Sequence, residues 1–241
     1  MKKTLFKFVS IATAAILFTS CAAVQQNLVE DNSYQRTKTG ALLGAITGAV
    51  VGATTSKKKK LKGALIGAAA GAAVGGGIGY LLDEQANAVA RALGTHVAND
   101  PLALVDPNRD IVVVKGDRYV RILFRDKMMF PFNSDQMRPS AMNKVAKLAA
   151  VLRRYPQTIV QVAGFTDSVG SYDYNYQLSL RRAQNVANFL RNQGVSNKIL
   201  VRGCSYNKPL VPNKSPQARA LNRRVEVYLY NSTADITNPC Y

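Results

Sequence analysis

The chain has 241 residues, enough for one good domain plus extras or two small ones. Its 32 Lys and Arg against 14 Asp and Glu give a formal charge of +18, which calls for an anionic partner. There is no Trp, a single His, no zinc-ligand spacing, no RNA-binding aromatic stretch and no helix-turn-helix signature. Nucleic acid is therefore not the expected partner, and anionic envelope polymers or lipid head groups satisfy the same electrostatics.

Residues 1–20 have the shape of a secretory signal. Lys2, Lys3 and Lys7 form a positive start, and Phe8 to Phe18 is a mostly apolar run. The segment ends Phe18-Thr19-Ser20-Cys21, a small residue directly before a Cys. This resembles the bacterial lipoprotein box, although Phe18 stands where Leu is usual. The resemblance implies that Cys21 becomes a diacylated N-terminus, and several acyl chains at about 0.8 kcal/mol per buried CH2 make a stable anchor. Ala22 follows, where an Asp is the familiar inner-membrane retention signal, so the outer membrane is expected.

Residues 21–39 are polar and read as a tether. Over 40–82 glycine recurs every fourth position, at Gly40, Gly44, Gly48 and Gly52 and again from Gly63 to Gly79, with Lys57–Lys60 between the two runs. Glycines at i, i+4 and i+8 make a flat groove on one helix face. Such grooves let helix backbones approach closely in lipid, whereas in water each glycine costs about 1 kcal/mol against Ala. The runs 40–55 and 63–82 would be about 24 and 30 Å long as helices, against a bilayer core of about 30 Å. The block resembles the glycine-zipper segments of envelope lipoproteins. A helical hairpin turning at the lysines is expected, with self-association through the glycine stripe; a flexible Gly/Ala linker is the plainer alternative.

Residues 83–108 read as a helix, Asp83 to Ala98, and a linker marked by Pro101 and Pro107. From about 109 the texture is globular. Ile111–Val114 and Tyr119–Phe124 predict a hairpin, 140–155 a helix, Thr158–Ala163 a strand, and Asn175–Asn192 a helix capped by Gly194. Ile199–Gly203 is the next strand, and a short helix at 216–221 precedes an alternating strand, Arg224–Tyr230. This order predicts an α/β sandwich, βαβαβ, with helices on one face of a mixed sheet, over 109–231. Residues 232–241 form a tail. With Cys21 set aside, Cys204 and Cys240 remain; in an oxidising compartment they can pair, or stay as two thiols. No clustered His, Cys or acid supports a metal, and no cofactor is implied.

One stretch carries unlike charges in a built context, Gly164 to Ala183. Asp167 sits at a strand end in a glycine-bounded turn, where ligand sites of α/β sheets gather, and Arg182 lies on the following helix. A plain salt bridge is the simplest outcome. If the two are held apart, Asp167 can take a ligand ammonium while Arg182 grips a ligand carboxylate.

The sequence Gly164-Phe165-Thr166-Asp167, then Gly170, Tyr174-Asn175, Leu178-Ser179, Arg182-Ala183, Arg202-Gly203, Pro209 and Asn222-Arg223-Arg224-Val225-Glu226-Val227 resembles the OmpA C-terminal-type peptidoglycan-binding domain. That family includes Pal-type lipoproteins and the periplasmic part of flagellar stator proteins. The resemblance covers about 110–230. It implies noncovalent binding of the diaminopimelate residue of the peptidoglycan stem peptide, with Asp167 on the ammonium and Arg182 on the carboxylate. Asn175 and Leu178 match the helix start and pocket wall, Arg223 a basic residue at or near the site, and Phe132 an aromatic near the pocket. Two departures stand nearby: Gly203-Cys204-Ser205-Tyr206 replaces the usual Gly-x-Gly-Glu, and Phe165 stands where His or Tyr is common.

The expectation is a lipid-anchored outer-membrane protein, its domain facing the periplasm, that tethers the membrane to peptidoglycan. Nothing in the sequence resembles a catalytic set, so an enzyme is not expected. Two alternatives keep the wall-binding domain: an oligomeric glycine-zipper membrane assembly, and an uncleaved inner-membrane, stator-like component. Against the latter, Phe8–Ser20 lacks the acid that ion-coupled stators carry.

Overall fold

The computed structural model describes residues 79–241. The readings placed on the signal segment, Cys21 and the glycine-zipper hairpin lie outside the described residues.

The first described element, α1 (79–93), buries Leu82, Ala86, Val89 and Leu93, a stripe at helical spacing. The expected helix through Ala98 stops short. Gly94 adopts φ +73°, Thr95 N–H returns to the Ala90 carbonyl at 2.9 Å and Gly94 N–H to Arg91 at 3.2 Å, a left-handed glycine stop. Val97–Ala98 then forms β1, parallel to β2 (Ile111–Lys115).

The six-stranded mixed sheet runs β1-β2-β3-β6-β4-β5. β2 and β3 (Tyr119–Arg125) form the expected antiparallel hairpin. A one-turn helix, α2 (Asp126–Met129), leads to the 130–138 turn and to α3 (Pro139–Leu152), which starts with its proline in the first turn. β4 (Ile159–Phe165) is followed by α4 (Tyr172–Asn192), capped by the Ser171 hydroxyl accepting from Tyr174 N–H. β5 (Ile199–Gly203) lies parallel to β4 at the sheet edge. After α5 (Pro216–Asn222), β6 (Arg224–Tyr230) inserts between β3 and β4, antiparallel to both.

One sheet face carries the helices. Val120, Ile122 and Phe124 of β3, Val160 and Val162 of β4, and Val225, Val227 and Leu229 of β6 pack with buried residues of α1, α3 and α4 into one core. The period-two alternation of β6 is the expected one, but its other face is buried too. There Tyr228, Tyr230, Phe165 and Ala163 pack with Cys240 and Ile236 of the tail. Several polar groups on this face are paired: Glu226 accepts from Arg224 Nε at 2.6 Å and from the Tyr228 hydroxyl, and Tyr230 donates to Gln161 at 3.0 Å. The tail is held by a disulfide between Cys204 and Cys240, 36 residues apart.

Two glycines set where α4 lies. A Cβ at Gly164 would come 2.1 Å from the Ser179 carbonyl oxygen, and one at Gly203 would come 2.8 Å from Leu180 Cβ. The helix backbone therefore rests directly on the ends of β4 and β5, which only glycine permits.

Candidate functional site

Strand register brings the site together. Arg224 pairs with Arg125 of β3 on one side and with Phe165 of β4 on the other. The residues just beyond these positions, Asp126, Arg223 and Asp167, are thereby presented at one end of three adjacent strands. The close seat of α4 adds Arg182.

Asp167 is fixed in an Asx turn: its Oδ1 accepts from Val169 N–H at 3.0 Å. Its Oδ2 accepts from Arg223 Nη1 at 2.6 Å. Arg223 Nε stands 3.6 Å from Asp126 Oδ2, and Asp126 Oδ1 stands 2.8 Å from Arg182 Nη1. The four charges alternate in a row, Asp167–Arg223–Asp126–Arg182. The plain salt bridge between Asp167 and Arg182 does not form. Arg182 takes Asp126 instead, because its Nε also donates to the Ser134 carbonyl at 2.9 Å and its guanidinium lies 4.9 Å from the Phe130 ring centroid. These contacts draw it toward the 126–134 segment.

The row is graded in exposure. The Arg182 side chain is 4% exposed, Asp126 and Asp167 little more, and Arg223 is 35% exposed. Burial pushes the Asp126 carboxyl up, against the pull of Arg182 and Arg223. Burial pushes the Arg182 guanidinium down from its ordinary value, with Asp126 opposing. Arg223 is thus the one member of the row that a molecule from solvent meets without displacing packed structure.

Asn175 belongs to the frame: its Nδ2 donates to the Val169 carbonyl at 2.8 Å and ties the Asp167 loop to α4. Leu178 is buried on the same helix. Phe132 stands apart from the row's contacts, 98% exposed at the tip of its turn. That turn is held against α4 by Arg181 to Asp135 at 2.8 Å and by Asn185 Nδ2 to the Asp135 carbonyl at 2.7 Å. Sequence reasoning missed Asp126 and the Ser134 carbonyl. Asp126 lies two residues beyond the strand-like run 119–124, at a strand end, where such sheets gather ligand groups. Among the described residues no group of three His, Cys, Asp or Glu could hold a metal ion.

Residues 129–223 match the OmpA family model, and residues 1–83 match a YMGG-like Gly-zipper model. The chain is 36% identical over 119 residues to the probable lipoprotein YiaD of Escherichia coli K12, covering 49% of this chain and 54% of that protein. It is 37% identical over 102 residues to the outer-membrane lipoprotein YfiB of Pseudomonas aeruginosa, covering 42% of this chain and 61% of that protein. The chain thus spans just over half the length of these relatives. A putative MotB-like protein from Desulfovibrio vulgaris shares the fold, with TM-score 0.50 and 22% identity over 63% of this chain and 96% of that one.

Proposed function

We propose, from the premise that the chain carries an OmpA-like domain behind a YMGG-like Gly-zipper segment, that it is an outer-membrane lipoprotein that binds peptidoglycan noncovalently. In this reading Cys21 carries the lipid, the domain faces the periplasm, and the charged row receives the zwitterionic end of diaminopimelate in the stem peptide. The relatives named as lipoproteins support the anchor.

The observation that carries the reading is the 2.6 Å pair of Asp167 with the half-exposed Arg223. A zwitterion can replace both halves of that pair without a change in net charge. Its ammonium takes Asp167 Oδ2, and the released Arg223 guanidinium turns to the ligand carboxylate. Arg182 lies behind, adding positive potential and holding the row through Asp126. A lone cation or a lone anion would satisfy one partner and leave the other stripped of its pair.

The test is sedimentation with purified peptidoglycan. Asp167→Ala and Arg223→Ala each remove one charge-assisted contact, worth about 1.5–3 kcal/mol, or roughly ten- to a hundredfold in affinity. Arg182→Ala, which removes the residue that holds the row through Asp126, is expected to weaken binding as well. Binding retained by correctly folded Asp167→Ala and Arg182→Ala proteins contradicts the assignment.

A second reading rests on the match over 1–83: the zipper block itself assembles copies of the chain in the membrane. Replacing Gly67 and Gly71 with Leu would then reduce the assembly size in detergent, and an unchanged size rejects it.

A further inference from the structure

The first turns of α4 carry a second concavity, on a stripe neighbouring the one that bears Asn175 and Arg182. Tyr172, Tyr176 and Leu180 recur at i, i+4 and i+8 and form one wall of an open groove of about 260 Å³. The edge strand β5, with Arg202 and Gly203, forms its floor, and Asn207 and Asn238 its rim. The floor is bare for the reason already given: Leu180 and the Tyr176 carbonyl come so close to Gly203 that no side chain fits there. The far wall is the tail, fixed by the bond between Cys240 and Cys204.

The lining has a definite chemistry. The Tyr172 and Tyr176 rings are stacked, 14° from parallel with centroids 6.4 Å apart, and Tyr206 meets Tyr172 edge-on at 5.5 Å. Asn207 Nδ2 donates to the Tyr172 hydroxyl at 3.0 Å, which holds that ring in place. No Asp or Glu lines the groove. With tyrosine rings on one wall and the Arg202 guanidinium and two amides as donors, it suits a ligand with an apolar face and many hydroxyl and carbonyl groups. Aromatic faces cover the C–H face of a pyranose ring, while amides and a guanidinium donate to its hydroxyls and acetamido oxygen.

We propose that this groove is a subsite for an N-acetylated pyranose of the glycan strand, continuous with the charged row across the first turns of α4. The inference rests on the peptidoglycan reading and extends it from peptide to sugar. Geometry permits it: a helix with its side chains is about 10–12 Å across, and three extended stem residues span about 10 Å.

The test uses the full-length protein and three ligands: a diaminopimelate-containing stem peptide without sugar, the same peptide on its disaccharide, and an N-acetylglucosamine oligomer. The disaccharide peptide is expected to bind about tenfold tighter than the bare peptide, the scale of one good aromatic contact with its hydrogen bonds. Tyr176→Ala removes that gain and leaves bare-peptide affinity unchanged. Arg202→Ala, at an exposed position, does the same in part and guards against a folding defect in the tyrosine variant. The sugar oligomer shifts the amide resonances of Arg202 and Asn207. Equal affinity for the two peptides overturns the inference. So does a gain that survives both substitutions, or one that follows peptide length rather than sugar, which would give the groove to an extended chain on β5. A bare peptide that fails to bind while the oligomer still shifts Arg202 and Asn207 would sink the charged-row reading and leave the groove standing.

Discussion

Asp126 accepts Arg182 at 2.8 Å and faces Arg223 at 3.6 Å, so one partly buried carboxylate separates two guanidiniums that would otherwise repel each other. Asp126→Ala leaves Arg182 buried with the Ser134 carbonyl as its remaining polar partner. Removing one member of a buried pair costs about 3–5 kcal/mol. A fall of that size in urea-unfolding free energy is expected, together with weaker peptidoglycan binding. A variant as stable as the parent shows that Asp126 is a bystander.

Gly164 tests whether the seat of α4 matters to the site. A methyl group there overlaps the Ser179 carbonyl, so Gly164→Ala must lift the first turns of the helix away from β4. Overpacking of this kind costs about 1–3 kcal/mol. Both thermal stability and peptidoglycan binding are expected to fall, because Arg182 and Asn175 ride on that helix. Unchanged binding separates the row from the helix seat.

Much of this was legible from sequence. The hairpin, α3, β4, α4 and β5 follow from alternation, helical spacing and Pro, Ser or Gly boundaries, and each falls within a few residues of its expected span. Three features were not, for physical reasons. Gly94 inside a helical pattern reads as a tolerated helix residue until its left-handed φ is seen. The second face of β6 carries Arg224, Glu226 and Tyr228, which look like a solvated side; they are buried because the tail covers them and they satisfy one another. The row itself depends on β6 lying between β3 and β4, a non-local arrangement that no spacing within 164–183 encodes, and so Asp126 went unread.

The buried face gives a pH dependence. Burial by itself would raise the Glu226 carboxyl, but Arg224 and Arg121 beside it hold it below its ordinary 4.5. A carboxyl depressed in the folded state contributes stability that is fully present above its unfolded value and lost as pH falls through the folded one. Stability should therefore decline below about pH 4.5, and Glu226→Gln should flatten that decline while lowering stability at neutral pH. Asp126, raised by burial, works in the opposite sense and partly offsets the slope. A parent and variant with identical acid limbs would show that Glu226 is not the group responsible.

The disulfide makes a separate prediction. Closing a loop of 36 residues stabilises by about 4 kcal/mol in the chain-entropy account. Reduction, or Cys240→Ser, should lower the unfolding temperature and speed amide exchange at Tyr228 and Tyr230, whose outer face the tail covers. Exchange there at the parent rate would mean that the tail stays docked without its bond.

The most direct measurement compares two stem peptides that differ only at the third residue. With diaminopimelate the side chain ends in both an ammonium and a carboxylate; with lysine it ends in an ammonium alone. Titrated into the full-length protein, the diaminopimelate peptide should bind at least about tenfold tighter, the worth of one charge-assisted pair to Arg223. That preference should vanish in Arg223→Ala, whereas Asp167→Ala, which removes the partner of the ammonium both peptides carry, should weaken the two peptides alike. Equal affinity of the unmodified protein for the two peptides would contradict the claim that the row receives a zwitterion.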